Sequence, residues 1–202
     1  MGEAVKYWQD SWKSRIKDEG SLILNSEKKG HIQEFLNNFH FNGMSKLDIG
    51  CGPCHHAVLQ QWDNYTGVDL SEAAIAWARN RMPGATLICG DVLDLPEDKE
   101  YEVIMTWDTF EHITLDERLA AKIRKVAAPN AIIIGNIPLT KFTIHSKEFE
   151  HHIDYTMLAD FLIACGFPLI RTECFYTRAR TKNKTDVWLP FLLFLAQRMY
   201  YD

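Results

Sequence analysis

Alternation is the feature that most limits what this chain can fold into. MSKLDIG (44–50), NYTGVDL (64–70), ATLICGD (85–91), YEVIMTW (101–107) and AIIIGNI (131–137) are apolar runs of strand length. CHHAVLQQW follows the first of them, SEAAIAWARNRM (71–82) the second and LDERLAAKIRKVAA (115–128) the fourth, each with apolar residues at helical spacing. Ser71 stands where a helix N-cap is wanted. YTMLADFLIACGF (155–167) reads as a further helix ended by Gly166, and LIRTECFYTRA (169–179) as a long strand. Near-continuous apolar strands separated by helices call for a parallel sheet covered on both faces. The expectation is an α/β fold, doubly wound and Rossmann-like, with a seven-stranded, mostly parallel sheet. No repeat, low-complexity tract or linker divides it, so residues 1–202 read as one domain. Its parts are a helical extension or lid over 1–40, a core over 44–178 and an apolar tail over 187–202.

At 202 residues and 47% apolar composition the chain can bury one well-packed core. Its net charge of −5, from 22 basic and 27 acidic residues, gives no global basic field, so nucleic acid is not an expected partner. MGEAVKYWQD lacks the basic and apolar blocks of a signal peptide, and five cysteines without such a signal fit reduced thiols in the cytoplasm. The tail VWLPFLLFLAQRMYYD is very apolar but too short, and too interrupted by proline, to span a bilayer. It reads as a buried last strand or helix; a homodimer face or a lipid-contact surface is the alternative. Arg171, Arg178, Arg180, Lys182 and Lys184 beside it read as a solvated basic face.

The ten residues 47–56, LDIGCGPCHH, match several chemistries. Cys51-Gly-Pro-Cys54 has the spacing of a redox dithiol, and Cys51 to His55 that of a haem-attachment signal. Haem attachment accompanies export, which the N-terminus does not support. A thioredoxin-like domain would have about half this length and an aromatic residue before the first cysteine, where Gly50 stands. Zinc through Cys51, Cys54, His55 and His56 would need a tetrahedron closed by ligands too near in sequence. The remaining reading is a nucleotide-binding glycine loop, since Gly50 and Gly52 allow positive φ and close approach of a ligand to the backbone. A dinucleotide fingerprint starting at Gly50 would require glycine where His55 stands, which weakens an oxidoreductase reading.

LDIGCGPC resembles motif I of the class I S-adenosylmethionine-dependent methyltransferases, D-x-G-x-G-x-G, with Cys54 in place of the last glycine. The resemblance runs from about residue 44 to 178. It implies S-adenosyl-L-methionine as cofactor, S-adenosyl-L-homocysteine as product, and a cofactor site made of Asp48, Gly50, Cys51, Gly52, Asp69, Leu70, Asp91, Val92 and Trp107. Asp69 ends the second strand, where a carboxylate accepts from ribose hydroxyls. Asp91, in CGDVLDLP, matches the family's adenine-binding segment, with the Val92 N–H on a ring nitrogen. Cys54 is read as a small residue tolerated where only helix packing is needed.

The fourth strand ends in TWDTFEHI, which places Trp107, Asp108, Glu111 and His112 beside the transferred methyl and its acceptor. His112 is the candidate base and Glu111 its companion. In similar D-x-x-E-H enzymes a later histidine helps to hold a divalent metal; His145, His151 and His152 are the candidates here, and the metal question stays open. Tyr7, Trp8 and Trp12 lie on an amphipathic N-terminal helix, which in this family covers the cofactor as a lid or packs as core. The resemblance implies methyl transfer to a small-molecule acceptor, at oxygen. A non-catalytic S-adenosylmethionine or S-adenosylhomocysteine binder and a nucleotide-dependent oxidoreductase are the alternatives.

Overall fold

The structure, a computed structural model, describes residues 3–16, 26–139, 151–180 and 186–198. Two helices, α1 (Glu3–Arg15) and α2 (Ser26–Leu36), precede the sheet. Then β1 (Lys46–Ile49), α3 (His55–Gln60), β2 (Tyr65–Asp69), α4 (Glu72–Arg79), β3 (Thr86–Cys89), β4 (Tyr101–Trp107), α5 (Glu117–Val126) and β5 (Ala127–Pro138) alternate as the sequence requires. The chain continues through α6 (Tyr155–Ala164), β6 (Leu169–Arg180) and β7 (Asp186–Gln197). The sheet has seven strands in the order β3-β2-β1-β4-β5-β7-β6. Strands β1 to β5 are parallel, and β7 runs antiparallel to both its neighbours.

Alternate residues of each strand feed two cores. Leu47, Ile49, Ile104 and Ile133 pack with Leu119 and Ile123 of α5 and Phe161 and Leu162 of α6. On the other face Tyr65, Val103, Met105 and Ile134 pack with Ile32, Phe35 and Leu36 of α2, Ala57 of α3 and Ile75 of α4. Local signals hold the helices in place. Ser71 Oγ accepts from Ala74 N at 3.3 Å, Asp116 Oδ1 from Leu119 N at 3.0 Å and Asp154 Oδ1 from Met157 N at 2.9 Å, each a side chain capping the helix that follows.

Two expectations change in detail. The helix after the first strand has six residues, because Cys54 before it and Gln61 after it are both left-handed. Strand β5 starts at Ala127, directly after α5, rather than at 131. The tail is the buried last strand that was expected, and it lies between β5 and β6. Phe191, Leu192, Leu193, Phe194 and Ala196 are buried there, within the chain's own sheet, which leaves a homodimer or lipid face without them. Residues 199–202, Lys182 and Lys184 lie outside the described residues. No helix among the described residues is long and apolar enough to cross a membrane.

Candidate active site at the switch point of the sheet

From β1 the chain order runs outward in both directions, to β2 and β3 on one side and to β4 and β5 on the other. In an open parallel sheet a crevice forms at such a point, outside the carboxyl ends of the strands. The glycine loop fills its floor. Gly50 (φ +67) and Gly52 (φ +50) are both left-handed, and a Cβ on Gly50 would overlap the Thr109 side chain. A Cβ on Gly52 would stand 2.8 Å from Trp12 Cζ2, so the indole of α1 lies directly over this loop. Cys54 is left-handed as well, at φ 55. That corrects the reading from size alone: the family's glycine here answers a backbone demand, which Cys54 meets against the preference of a residue with a Cβ.

Both thiols of the loop face inward. Cys51 packs its Sγ where a Cβ on Gly67 would come within 2.8 Å, and its thiol donates to Gly52 O at 3.5 Å. Burial pushes its pKa well above the usual thiol value, so it is no nucleophile. Beneath the loop Asp48 is buried, with Oδ2 accepting from Tyr65 Oη at 2.7 Å and Oδ1 lacking a hydrogen-bond partner among the described residues. Desolvation pushes its carboxyl up to about 7, with the Asp69 charge adding to the shift and the Tyr65 bond opposing it.

Asp69, at the end of β2, joins the loop to α4: Oδ2 accepts from Gly52 N and Oδ1 from Ser71 N, both at 2.8 Å. Burial raises its pKa against these two bonds. Leu70, half-buried, accepts from the Cys89 thiol through its carbonyl at 3.8 Å. Asp91 caps a short turn, Val92–Asp94, by accepting from Leu93 N at 2.9 Å; its side chain is exposed while Val92 is buried. The helix α1 touches this edge too. Gln9 Oε1 accepts from Ser71 Oγ at 3.0 Å and Ala73 N at 3.2 Å.

At the end of β4 Trp107 is buried, its Nε1 without a hydrogen-bond partner among the described residues and its ring 5.3 Å from that of His56. Asp108 is left-handed at φ 51. Its carboxylate pairs with Lys28 of α2 and accepts from Asn136 Nδ2 at 2.7 Å. Desolvation pushes that carboxyl up, but the Lys28 charge and the bonds from Lys28 and Asn136 outweigh it and hold the pKa below the usual carboxylate range. Glu111 and His112 share a 3₁₀ turn, with His112 Nε2 4.0 Å from Glu111 Oε1 and the imidazole 4.6 Å from the Trp8 ring. His151 N donates to Glu111 O at 2.6 Å, which brings that later histidine alongside. His152 is exposed and His145 lies outside the described residues, among which no cluster of three or more metal-ligating side chains forms.

The glycine loop, Asp69, Asp91 and the Trp107–His112 turn thus stand at or just after the carboxyl ends of β1, β2, β3 and β4. Trp12, a lid candidate in the sequence, lies over the loop, and Gln9, Lys28 and Asn136 join the site although the sequence reading did not single them out. Asn136 alone carried a signal, as a polar residue in the apolar run AIIIGNI.

The description of the Methyltransferase domain family matches residues 47–130, the segment that holds the glycine loop, Asp69, Asp91 and the β4 turn. The matched segment is thus similar to a methyltransferase domain. It is 32% identical over 98 residues to norajmaline N-methyltransferase of Rauvolfia serpentina, covering 44% of this chain and 34% of that one. It is 25% identical over 142 residues to ubiquinone biosynthesis O-methyltransferase of Rickettsia bellii, covering 65% of this chain and 59% of that one. The chain thus spans between about a third and three-fifths of these relatives. Magnesium protoporphyrin IX methyltransferase from Synechocystis, solved with bound S-adenosylmethionine, shares the fold with a TM-score of 0.66 at 16% identity over 98% of both chains. The part of this chain outside the matched segment supplies α1 and α2, and with them Trp12 and Lys28.

Proposed function

We propose that this chain transfers a methyl group from S-adenosylmethionine to an oxygen of a small-molecule acceptor. The observation that carries the reading is the unpartnered Asp48 Oδ1, buried under a loop whose two glycines leave no Cβ over the crevice. A buried carboxylate oxygen without a partner suits a ligand bearing a cationic amine, such as an amino-acid moiety. Asp69 offers the ribose hydroxyls a carboxylate already oriented by Gly52 N and Ser71 N. Asp91 and Val92 stand at the next strand end for the adenine. These residues fit the cofactor, which when bound supplies an electrophilic methyl on a sulfonium.

The chain's own contribution is alignment, exclusion of water and proton removal. Trp8 and Trp12 roof the crevice from α1, and Trp107 closes its inner wall. His112 takes the acceptor hydroxyl proton at a ring nitrogen, and the Glu111 carboxylate at 4.0 Å stabilises the imidazolium that results. Five free cysteines support a cytoplasmic location.

Thermal-shift titration with S-adenosylmethionine, S-adenosylhomocysteine and NAD tests the cofactor: stabilisation by the first two is expected, and by NAD alone would overturn the reading. His112→Ala should keep S-adenosylhomocysteine affinity while lowering labelled-methyl transfer to hydroxylated acceptors by roughly 10²–10⁴. Full transfer by that variant would remove His112 as the base.

A further inference from the structure

Lys28 belongs to α2, outside the matched segment, yet its ammonium reaches the carboxyl end of β4. It pairs there with Asp108 and lies 3.9 Å from the centroid of the Phe191 ring on β7. Asn136 completes the clamp, donating to the carboxylate at 2.7 Å and accepting from Asp108 N at 3.3 Å. These contacts hold Asp108 in a left-handed conformation that a residue with a Cβ adopts only when its surroundings compel it. The next residue, Thr109, fills the space over Gly50 and reaches Gly50 O at 3.4 Å. The charge pair therefore borders the glycine loop itself.

The acids at the strand ends follow the order of the sheet: Asp91 after β3, Asp69 on β2, Asp48 on β1. On the function proposed above, adenine, ribose and amino-acid portion take these positions in turn, so the sulfonium end points to β4 and to Asp108. The methyl donor carries a positive charge at sulfur, and its demethylated product does not. A bare carboxylate at this end would hold the charged donor more tightly than the product and deepen the ground state that the methyl must leave.

We propose that Lys28 is a positioning residue that neutralises Asp108 at the methyl-transfer end of the crevice, so that charged donor and neutral product bind with similar strength. This rests on the cofactor reading, and binding alone tests it. The dissociation constants of S-adenosylmethionine and S-adenosylhomocysteine are measured by calorimetry on the full chain and compared as a ratio. Lys28→Met should favour the charged ligand by about five- to tenfold in that ratio at low salt, fading as salt screens the charge. Asp108→Asn, which removes the carboxylate charge and keeps the ammonium, should shift the ratio the other way, and the double variant should return it toward the parent's. Lys28→Arg should keep it. Packing damage weakens both ligands together and leaves the ratio where it was. An unchanged ratio in both single variants, each still binding both ligands, overturns the proposal. If the parent binds neither ligand, the cofactor reading falls first and this inference with it.

Discussion

At Asp69 one carboxylate serves the glycine loop through one oxygen and the start of α4 through the other, and each oxygen keeps lone-pair capacity for a ligand hydroxyl. Asp69→Ala should therefore weaken S-adenosylhomocysteine binding by about 1.5–3 kcal/mol, tenfold or more in dissociation constant, by calorimetry; unchanged affinity in a folded variant would move the ribose site elsewhere. Asp48 titrates in a different range. Its carboxyl is pushed from 3.8 to about 7, chiefly by burial, so in the fold it keeps a proton that the unfolded chain has already lost. Stability from this group is full below about pH 4 and drains away as pH rises toward about 7. Asp48→Asn cannot ionise and escapes that loss. Its melting temperature relative to the parent should climb between those limits and level off above them, whereas a flat difference would mean that Asp48 titrates as an exposed carboxylate does. Asp48, Gly50, Asp69 and Asp91 were legible because their types and spacing match a loop and strand ends. Lys28 was not, because nothing in a polar helix 80 positions from Asp108 announces where its side chain will arrive.

Elements were legible where period decides them. Strands β1 to β5 and the cap at Ser71 read directly from apolar runs and a short polar side chain, while the caps at Asp116 and Asp154 emerged only in the structure. The short α3 was not, since its ends are set by left-handed Cys54 and Gln61, neither a residue that favours φ above zero. A β-branched residue tolerates that conformation worst. Cys54→Val should weaken S-adenosylhomocysteine binding while Cys51→Ser and Cys54→Ser leave it nearly intact; equal affinity across all three would show that the loop does not depend on this turn. In β7, Phe194 is fully buried and its ring stacks on Phe110 at 6.0 Å. Truncating it should cost about 3–5 kcal/mol in denaturant unfolding, and a loss below about 1 kcal/mol, the scale of an unremarkable substitution, would mean that β7 packs loosely.

On the scale of the whole molecule, the sequence specified a mostly parallel sheet with helices on both faces, and the structure has one. It did not specify where the last two strands go, because an apolar run fits an edge and an interior slot equally well, and strand order depends on pairings distant in sequence. The order β5-β7-β6 makes the later strand the bridge to the earlier one. Along the chain β6 is finished before β7 begins, yet β6 reaches the rest of the sheet only through β7, its antiparallel neighbour, which lies beside β5. The two pair antiparallel along their whole length, from Arg180 opposite Asp186 to Leu169 opposite Gln197, so β6 depends on β7 for its place in the sheet. Any interruption between them would leave a half-made sheet with an unmatched border on each side, one on β5 and one on β6, open to pairing with strands of other chains.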